Sequence, residues 1–344
     1  MSPSSSGAER GHDPCLQIQV DLSAMLDGEL DGAGVRRVMV HSDVCGACRE
    51  FLEGIRSNVR LHCTLAAITA APATETAAKR LRDQLVANRR KLARVLYELG
   101  RGFVLMGLSP DFSREVAKEP VPVPDVAMRG RNLLDEVKRS TGGAVADWVA
   151  ADELFDGRLR SAEENLSKGQ RLLTECLALE SSMHEACIYL GLVHHVRGHR
   201  GAARRQFQQV LEQSSDRLMR GYALSNLGNI HLDEGDCDGA VRLLLELVES
   251  GVLPDHPKMS TALFNLAIAY GMKGEFADCL HWFQRLHSEL PHKRNLVGRE
   301  LARRSQFLHL VRTHPGATDL ANGLASMFPH AELVMAAVPG QAAG

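Results

Sequence analysis

Residues 190–207 read LGLVHHVRGHRGAARRQF, residues 227–244 read LGNIHLDEGDCDGAVRLL, and residues 266–283 read LAIAYGMKGEFADCLHWF. Laid under one another, the three share one pattern. Leu190, Leu227 and Leu266 each precede a small residue, Gly191, Gly228 or Ala267. Three places after the small residue stand His194, His231 and Tyr270, and seven places after it stand Gly198, Gly235 and Gly274. Twelve places on come the small residues Ala203, Ala240 and Cys279, and sixteen on come Phe207, Leu244 and Phe283. This period predicts a helix, a tight turn that glycine enters without strain, and a second helix whose small residue lets the pair approach closely.

The pattern resembles the tetratricopeptide repeat. The usual period of about 34 residues is stretched here to 37 and 39, the separations of Gly191, Gly228 and Ala267, which predicts longer loops between repeats. Pro291 stands where that family often ends a repeat. The pattern is clearest over 185–291. A weaker copy runs from Trp148 to about Ser181, with Gly157, Ala162 and Leu166 at matching offsets. Repeat stacks need closing elements, so helices are expected at about 129–142 and 294–312, within a helical repeat domain over 129–335. The resemblance implies a concave face that takes an extended peptide or a helix. Asn226, Asn229 and Asn265 fall on that face, and an asparagine amide offers a bound backbone both a donor and an acceptor. Family members that clamp a terminal carboxylate use basic residues, but the corresponding positions here include Ile188, Leu192 and Thr261, so no such clamp is expected.

Composition agrees with an all-α chain. Aromatic residues make up 5% of the 344, with 40 Lys+Arg against 42 Asp+Glu for a formal charge of −2. A near-zero balance gives no overall basic field for nucleic acid. Residues 1–13 form a polar, Ser-rich stretch, and both they and 336–344 are expected to be disordered tails. No apolar run reaches a membrane-spanning length; Leu61 to Ala73 comes closest and is broken by His62 and Thr64. These features lead to an expectation of a cytoplasmic protein with reduced thiols and no membrane partner.

Half of the eight cysteines lie in the first 63 residues. His41, Cys45 and Cys48 form an H-x3-C-x2-C arrangement. One helical turn separates His41 from Cys45, and Cys45 and Cys48 bracket a single ion from a helix start, where amide dipoles favour thiolate. Tetrahedral Zn²⁺ asks for one more ligand: Cys15 is the natural fourth, with His12 and Cys63 in reserve. Farther on, Leu81, Leu85, Leu92, Val95, Leu96, Leu99 and Phe103 recur at helical spacing, predicting a long amphipathic helix over 74–108. Its other faces carry Lys79, Arg80, Arg82, Arg89, Arg90, Lys91, Arg94 and Arg101. That basic surface is either a solvated face or a docking surface for an acidic partner, with Arg89, Arg90 and Arg94 at its centre. Pro110, Pro120, Pro122 and Pro124 mark 109–128 as a linker without regular helix.

The segment from Cys15 to Ile55 resembles the zinc-binding anti-sigma domain of bacteria. Leu22, Ser23, Ala24, Leu26, Asp27, Gly28, Glu29 and Leu30 match its L-S-A-x-L-D-G-E-L phrase, and Cys15, His41, Cys45 and Cys48 match its four metal positions. The resemblance implies a small zinc-binding helical domain over 14–60 that binds a sigma factor of the extracytoplasmic-function type. The helix at 74–108 stands where the family places a further sigma-clamping helix.

Enzymatic motifs are missing. His184-Glu185 lacks the second histidine of H-E-x-x-H, because Ile188 stands in its place. There is no P-loop and no G-x-S-x-G elbow, and Gly100-Arg-Gly102 lacks the third glycine of a dinucleotide turn. His194, His195, His231, His281 and His287 read as packing or surface residues of the repeats. A four-ligand zinc site has no open position for catalysis. The expected function is non-enzymatic: a regulator that binds a sigma factor through its front and a second protein or peptide through its repeats. The alternative is a repeat scaffold with a purely structural zinc site.

Overall fold

The computed structural model describes residues 14–27, 29–55, 57, 75–118 and 161–328. Both tails, His12, Cys63, the helix expected at 129–142 and residues 119–128 of the linker expected at 109–128 lie outside these residues. The described residues are helical, with no strand among them. The chain divides into two compact units, Met1–Val193 and His194–Gly344. The first contains α1 (Pro14–Asp27), α2 (Gly32–Val44), α3 (46–55), α4 (Glu75–Leu108), α5 (Pro110–Lys118), α6 (Ala162–Leu179) and most of α7 (His184–Val196). The second contains α8 (Arg200–Gln213), α9 (Arg217–Asp233), α10 (Cys237–Glu249), α11 (Thr261–Lys273), α12 (Phe276–Glu289), α13 (Arg294–Ala302), α14 (Ser305–Thr313) and α15 (Thr318–Met327).

In the first unit, the apolar stripe of α4 buries Leu92, Val95, Leu96, Leu99 and Phe103 in one core with Leu166, Leu172, Leu173 and Cys176 of α6. Ser161 caps α6 through a capping box with Glu164, which satisfies two orphan amides and fixes where the helix begins. The two helices run close because glycines face each other. A Cβ on Gly169 would lie 2.9 Å from the Gly100 carbonyl oxygen and 3.0 Å from the Val104 nitrogen, backbone atoms that have nowhere to go. Gly169→Val is therefore expected to cost about 3 kcal/mol, the upper end of ordinary overpacking. A urea midpoint unchanged from wild type would contradict that. In α1, Ile18, Leu22 and Met25 face Val38 and Met39 of α2 across the same core. Buried Asp21 accepts from Arg37 at 3.3 Å and Gln17 at 2.9 Å.

One sequence expectation changes here. The expected linker opens instead with α5. Pro110 sits at the first helical position, where its missing N–H deprives the helix of nothing. Ser109 Oγ accepts from the Phe112 amide at 3.2 Å, and Val116 is buried. Of the repeat domain expected from 129, residues 129–160 lie outside the described residues. Over the described part of Trp148–Ser181, α6 packs against α4 within the first unit.

In the second unit, the three turn glycines adopt left-handed backbones, with φ of 77° at Gly198, 78° at Gly235 and 85° at Gly274. Each turn carries the same pair of bonds. The amides of His199, Asp236 and Glu275 donate to the carbonyls of His194, His231 and Tyr270 at 2.8, 2.9 and 3.0 Å. The glycine amides donate to His195, Leu232 and Gly271 at 2.9, 3.0 and 3.0 Å. This is a Schellman motif repeated three times. The small positions are occupied as expected: a Cβ on Gly228 would meet Leu244 at 2.8 Å, and Ala240, Ala267 and Cys279 are fully buried.

The long period is accommodated in two ways. Between the second and third repeats it is a loop, 250–260, containing a short 3-10 turn at Pro257–Ser260. Between the first and second it is not a loop: three residues join α8 to α9, and α9 itself has 17 residues where α7 and α11 have 13. The helix expected at 294–312 is two helices, α13 and α14, broken at Arg303 and Arg304, and α15 follows. Phe307 of α14 and Phe328, just past α15, lie 6.1 and 5.8 Å from the ring of Phe283 and close the core.

Candidate functional site

Cys15, His41, Cys45 and Cys48 converge. Their ligand atoms all lie within 4.8 Å of one another, the one such His/Cys/Asp/Glu group among the described residues. Each comes from a helix end. Cys15 stands in the first turn of α1 and His41 in the last turn of α2. Cys45 closes α2, donating its amide to the His41 carbonyl at 2.8 Å, and its own carbonyl accepts from Arg49 at 3.0 Å as α3 begins. Cys48 then lies in the first turn of α3, so the C-x2-C pair brackets a helix start.

The spacing fits a tetrahedral ion. With Zn–S near 2.3 Å and Zn–N near 2.05 Å, the tetrahedron's edges are about 3.8 Å for S···S and about 3.6 Å for S···N. Cys15 Sγ lies 3.8 Å from Cys45 Sγ and 3.6 Å from His41 Nε2. Cys48 Sγ is 4.0 Å from the Cys15 carbonyl oxygen. His41 is 1% exposed and Cys48 0%. Burial, and then the neighbouring Cys45 and Cys15, push the Cys48 thiol well above the ordinary cysteine range. A cation among the three sulfurs reverses that preference, since a coordinated thiol is deprotonated outright. The donor set, three sulfurs and one imidazole nitrogen, is of the kind that holds Zn²⁺, and Cys15 stands in it as the fourth member.

Around the cluster, Asp43 is buried on α2 between His41 and Cys45, and Lys168 of α6 pairs with its carboxylate. The Lys168 ammonium lies 4.2 Å from the centre of the Phe103 ring, a cation–π contact. Burial and then Arg171 bring the Lys168 pKa down to about 8.

The basic residues singled out on α4 are partly committed within the chain. Arg90 pairs with Glu180 at 3.3 Å, while Arg94 pairs with Glu98 at 3.3 Å and Glu185 at 3.9 Å and lies over the Tyr97 ring. Arg89 is exposed. In the second unit, Asn265 Nδ2 donates to Asn229 Oδ1 at 2.6 Å, joining the first helices of two successive repeats. Asn226 instead donates to the Tyr222 carbonyl of its own helix at 2.8 Å.

Residues 184–209 match the family model of the tetratricopeptide repeat. That segment runs from the start of α7 into α8 and contains the first of the three aligned repeats. Among solved structures the chain is similar to the crystal structure of YrrB, a TPR protein with an unusual peptide-binding site. The likeness stands at 14% identity over 59% of this chain and 97% of that one, with a TM-score of 0.37. The comparison with curated proteins found no match. No helix among the described residues is long and apolar enough to cross a membrane.

Two of the repeat histidines pair with carboxylates, one between helices and one within its own turn. His195 pairs with Asp233 at 2.8 Å and His231 with Asp236 at 2.7 Å. Sequence reasoning missed Asp43 and Lys168. Neither belongs to a motif, and no local signal joins two residues whose pairing depends on how α6 packs.

Proposed function

We propose that the chain is a cytoplasmic regulatory adaptor, similar to zinc-dependent anti-sigma factors, with a repeat surface for a second protein. One observation carries this reading: four residues at the family's motif positions bring three sulfurs and one imidazole nitrogen within 4.8 Å of one another, with the Cys15–Cys45 and Cys15–His41 spacings at the edge lengths of a zinc tetrahedron. Cys15, His41, Cys45 and Cys48 would hold Zn²⁺, which cross-links α1, α2 and α3 and, with four protein ligands, takes no water for catalysis. The helices so fixed, with α4, would present the surface that binds a sigma factor of the extracytoplasmic-function type. In the repeats, the linked Asn229 and Asn265 would receive the backbone of a bound peptide.

A second reading, a repeat scaffold with a structural zinc knot, is favoured by the pairing of Arg90 and Arg94 with Glu180 and Glu185, which occupies part of the basic face of α4. Co-expression of the full chain with each extracytoplasmic-function sigma factor of its host separates the two. The anti-sigma reading expects one of them to co-purify, to be lost with Cys45→Ala, and to be kept by the Asn229→Ala/Asn265→Ala variant. Failure with every such sigma factor rejects it in favour of the scaffold.

A further inference from the structure

The pair of buried Asp43 and partly exposed Lys168 connects the turn that carries His41 to a helix far along the chain. Asp43 shares its turn of α2 with two of the four donors, and Lys168 arrives from α6, which is packed along α4. Arg49 of α3 donates to the Asp43 backbone carbonyl at 2.5 Å. Lys168 is itself 25% exposed at the side chain and Asp43 3%. Building on the zinc reading above, we propose that Lys168 is a positioning residue for the metal centre, balancing the negative charge that loading creates, so that metal binding and the docking of α6 on α4 stabilise each other.

Charge accounting gives the sign. The unloaded centre, three thiols and a neutral imidazole, carries no charge. Loading replaces three thiol protons, which leave to solvent, by one Zn²⁺, so the centre ends at one negative charge. Asp43 carries a second on the same turn of α2. Like charges in a buried site repel more strongly than in water, and Lys168 is the opposite charge that α6 brings to this carboxylate. Coupling of this kind is reciprocal: whatever α6 docking adds to metal affinity, metal adds to α6 docking. It extends into the first helix of the repeats, because Leu173 and Cys176 of α6 share a core with Ala186 and Leu190 of α7.

The test uses the full chain and zinc alone. Affinity is read by competition with a chelator, and protection of α6 by hydrogen–deuterium exchange in loaded and stripped protein. Lys168→Met is expected to weaken zinc about tenfold, the scale of outer-sphere substitutions at metal sites. Lys168→Arg should stay near wild type, and Asp43→Asn/Lys168→Met should recover most of the loss. Stripping zinc from wild type should raise exchange across α6, a comparison that holds even if Lys168→Met does not fold. Unchanged affinity in Lys168→Met, a double variant as weak as that single one, or α6 exchange indifferent to zinc in wild type would each overturn the coupling while leaving the zinc site standing. A folded wild type that takes up no zinc would instead overturn the zinc reading and the coupling with it.

Discussion

Cys48→Ala is expected to abolish the binding of one zinc ion per chain and to unfold α1–α3 at temperatures where wild type is intact. Cys48 is fully buried and shares its core with Leu22, Met25, Val38 and Leu52. These three helices are short, and a structural zinc supplies about 10–16 kcal/mol in zinc-finger peptides at neutral pH. Removing one of four donors opens the tetrahedron and leaves two thiols and an imidazole to compete with water. Lost sulfur packing alone would cost far less, and Cys48→Ser separates the two causes: it nearly restores the volume but not the thiolate. Both variants should therefore lose metal, read by elemental analysis, together with exchange protection in α1–α3. The helices of the second unit, with their own core, should keep their protection. Because three thiols must lose protons to load the site, zinc affinity should also fall steeply as the pH is lowered. Retention of zinc by Cys48→Ser would remove Cys48 from the ligand set.

What was legible in the sequence is what chemistry forces into few residue types. A turn with φ near 80° selects glycine, so Gly198, Gly235 and Gly274 announced three turns that share the same hydrogen bonds. Metal sites use few donor types at short local spacings, so His41, Cys45 and Cys48 were readable as a group with Cys15 as its fourth member, and the four ligand atoms do converge. Features that depend on a distant partner were not readable. Pro110 was taken as a breaker because its position in the helix, not its identity, decides its effect. The extra residues in the first repeat period lengthened α9 rather than a loop, since nothing local distinguishes the two. Ala162 and Leu166 of α6 matched a faded repeat by offset alone, while the close approach of Gly169 to Gly100 on α4 has no local signature. The Arg90–Glu180 and Asp43–Lys168 pairs carry no sequence signature at all.

Phe283→Ala should be the most damaging single change in the repeats. Phe283 is fully buried, and its ring lies 5.9 Å from Phe264, 6.1 Å from Phe307 and 5.8 Å from Phe328. It thus holds α12 to α11, to α14 and to the end of α15 at once. A Phe-to-Ala change in such a core costs about 3–5 kcal/mol. Edge-to-face ring pairs contribute about 0.5–1.5 kcal/mol beyond their buried area, which places this site toward the upper end. A domain is stable by only about 5–15 kcal/mol, so the loss is a large fraction of the whole. Its distribution is also constrained. In a repeat array each unit depends mainly on its neighbours, so exchange should rise most over α11–α15 and less over α8–α10. Leu244→Ala, at the equivalent place one repeat earlier against Gly228, is the matched control. It should cost about 2–5 kcal/mol and shift the damage toward α9 and α10. Exchange that rose equally across the second unit in both variants would mean the repeats unfold as one block, and the neighbour-by-neighbour description would fail.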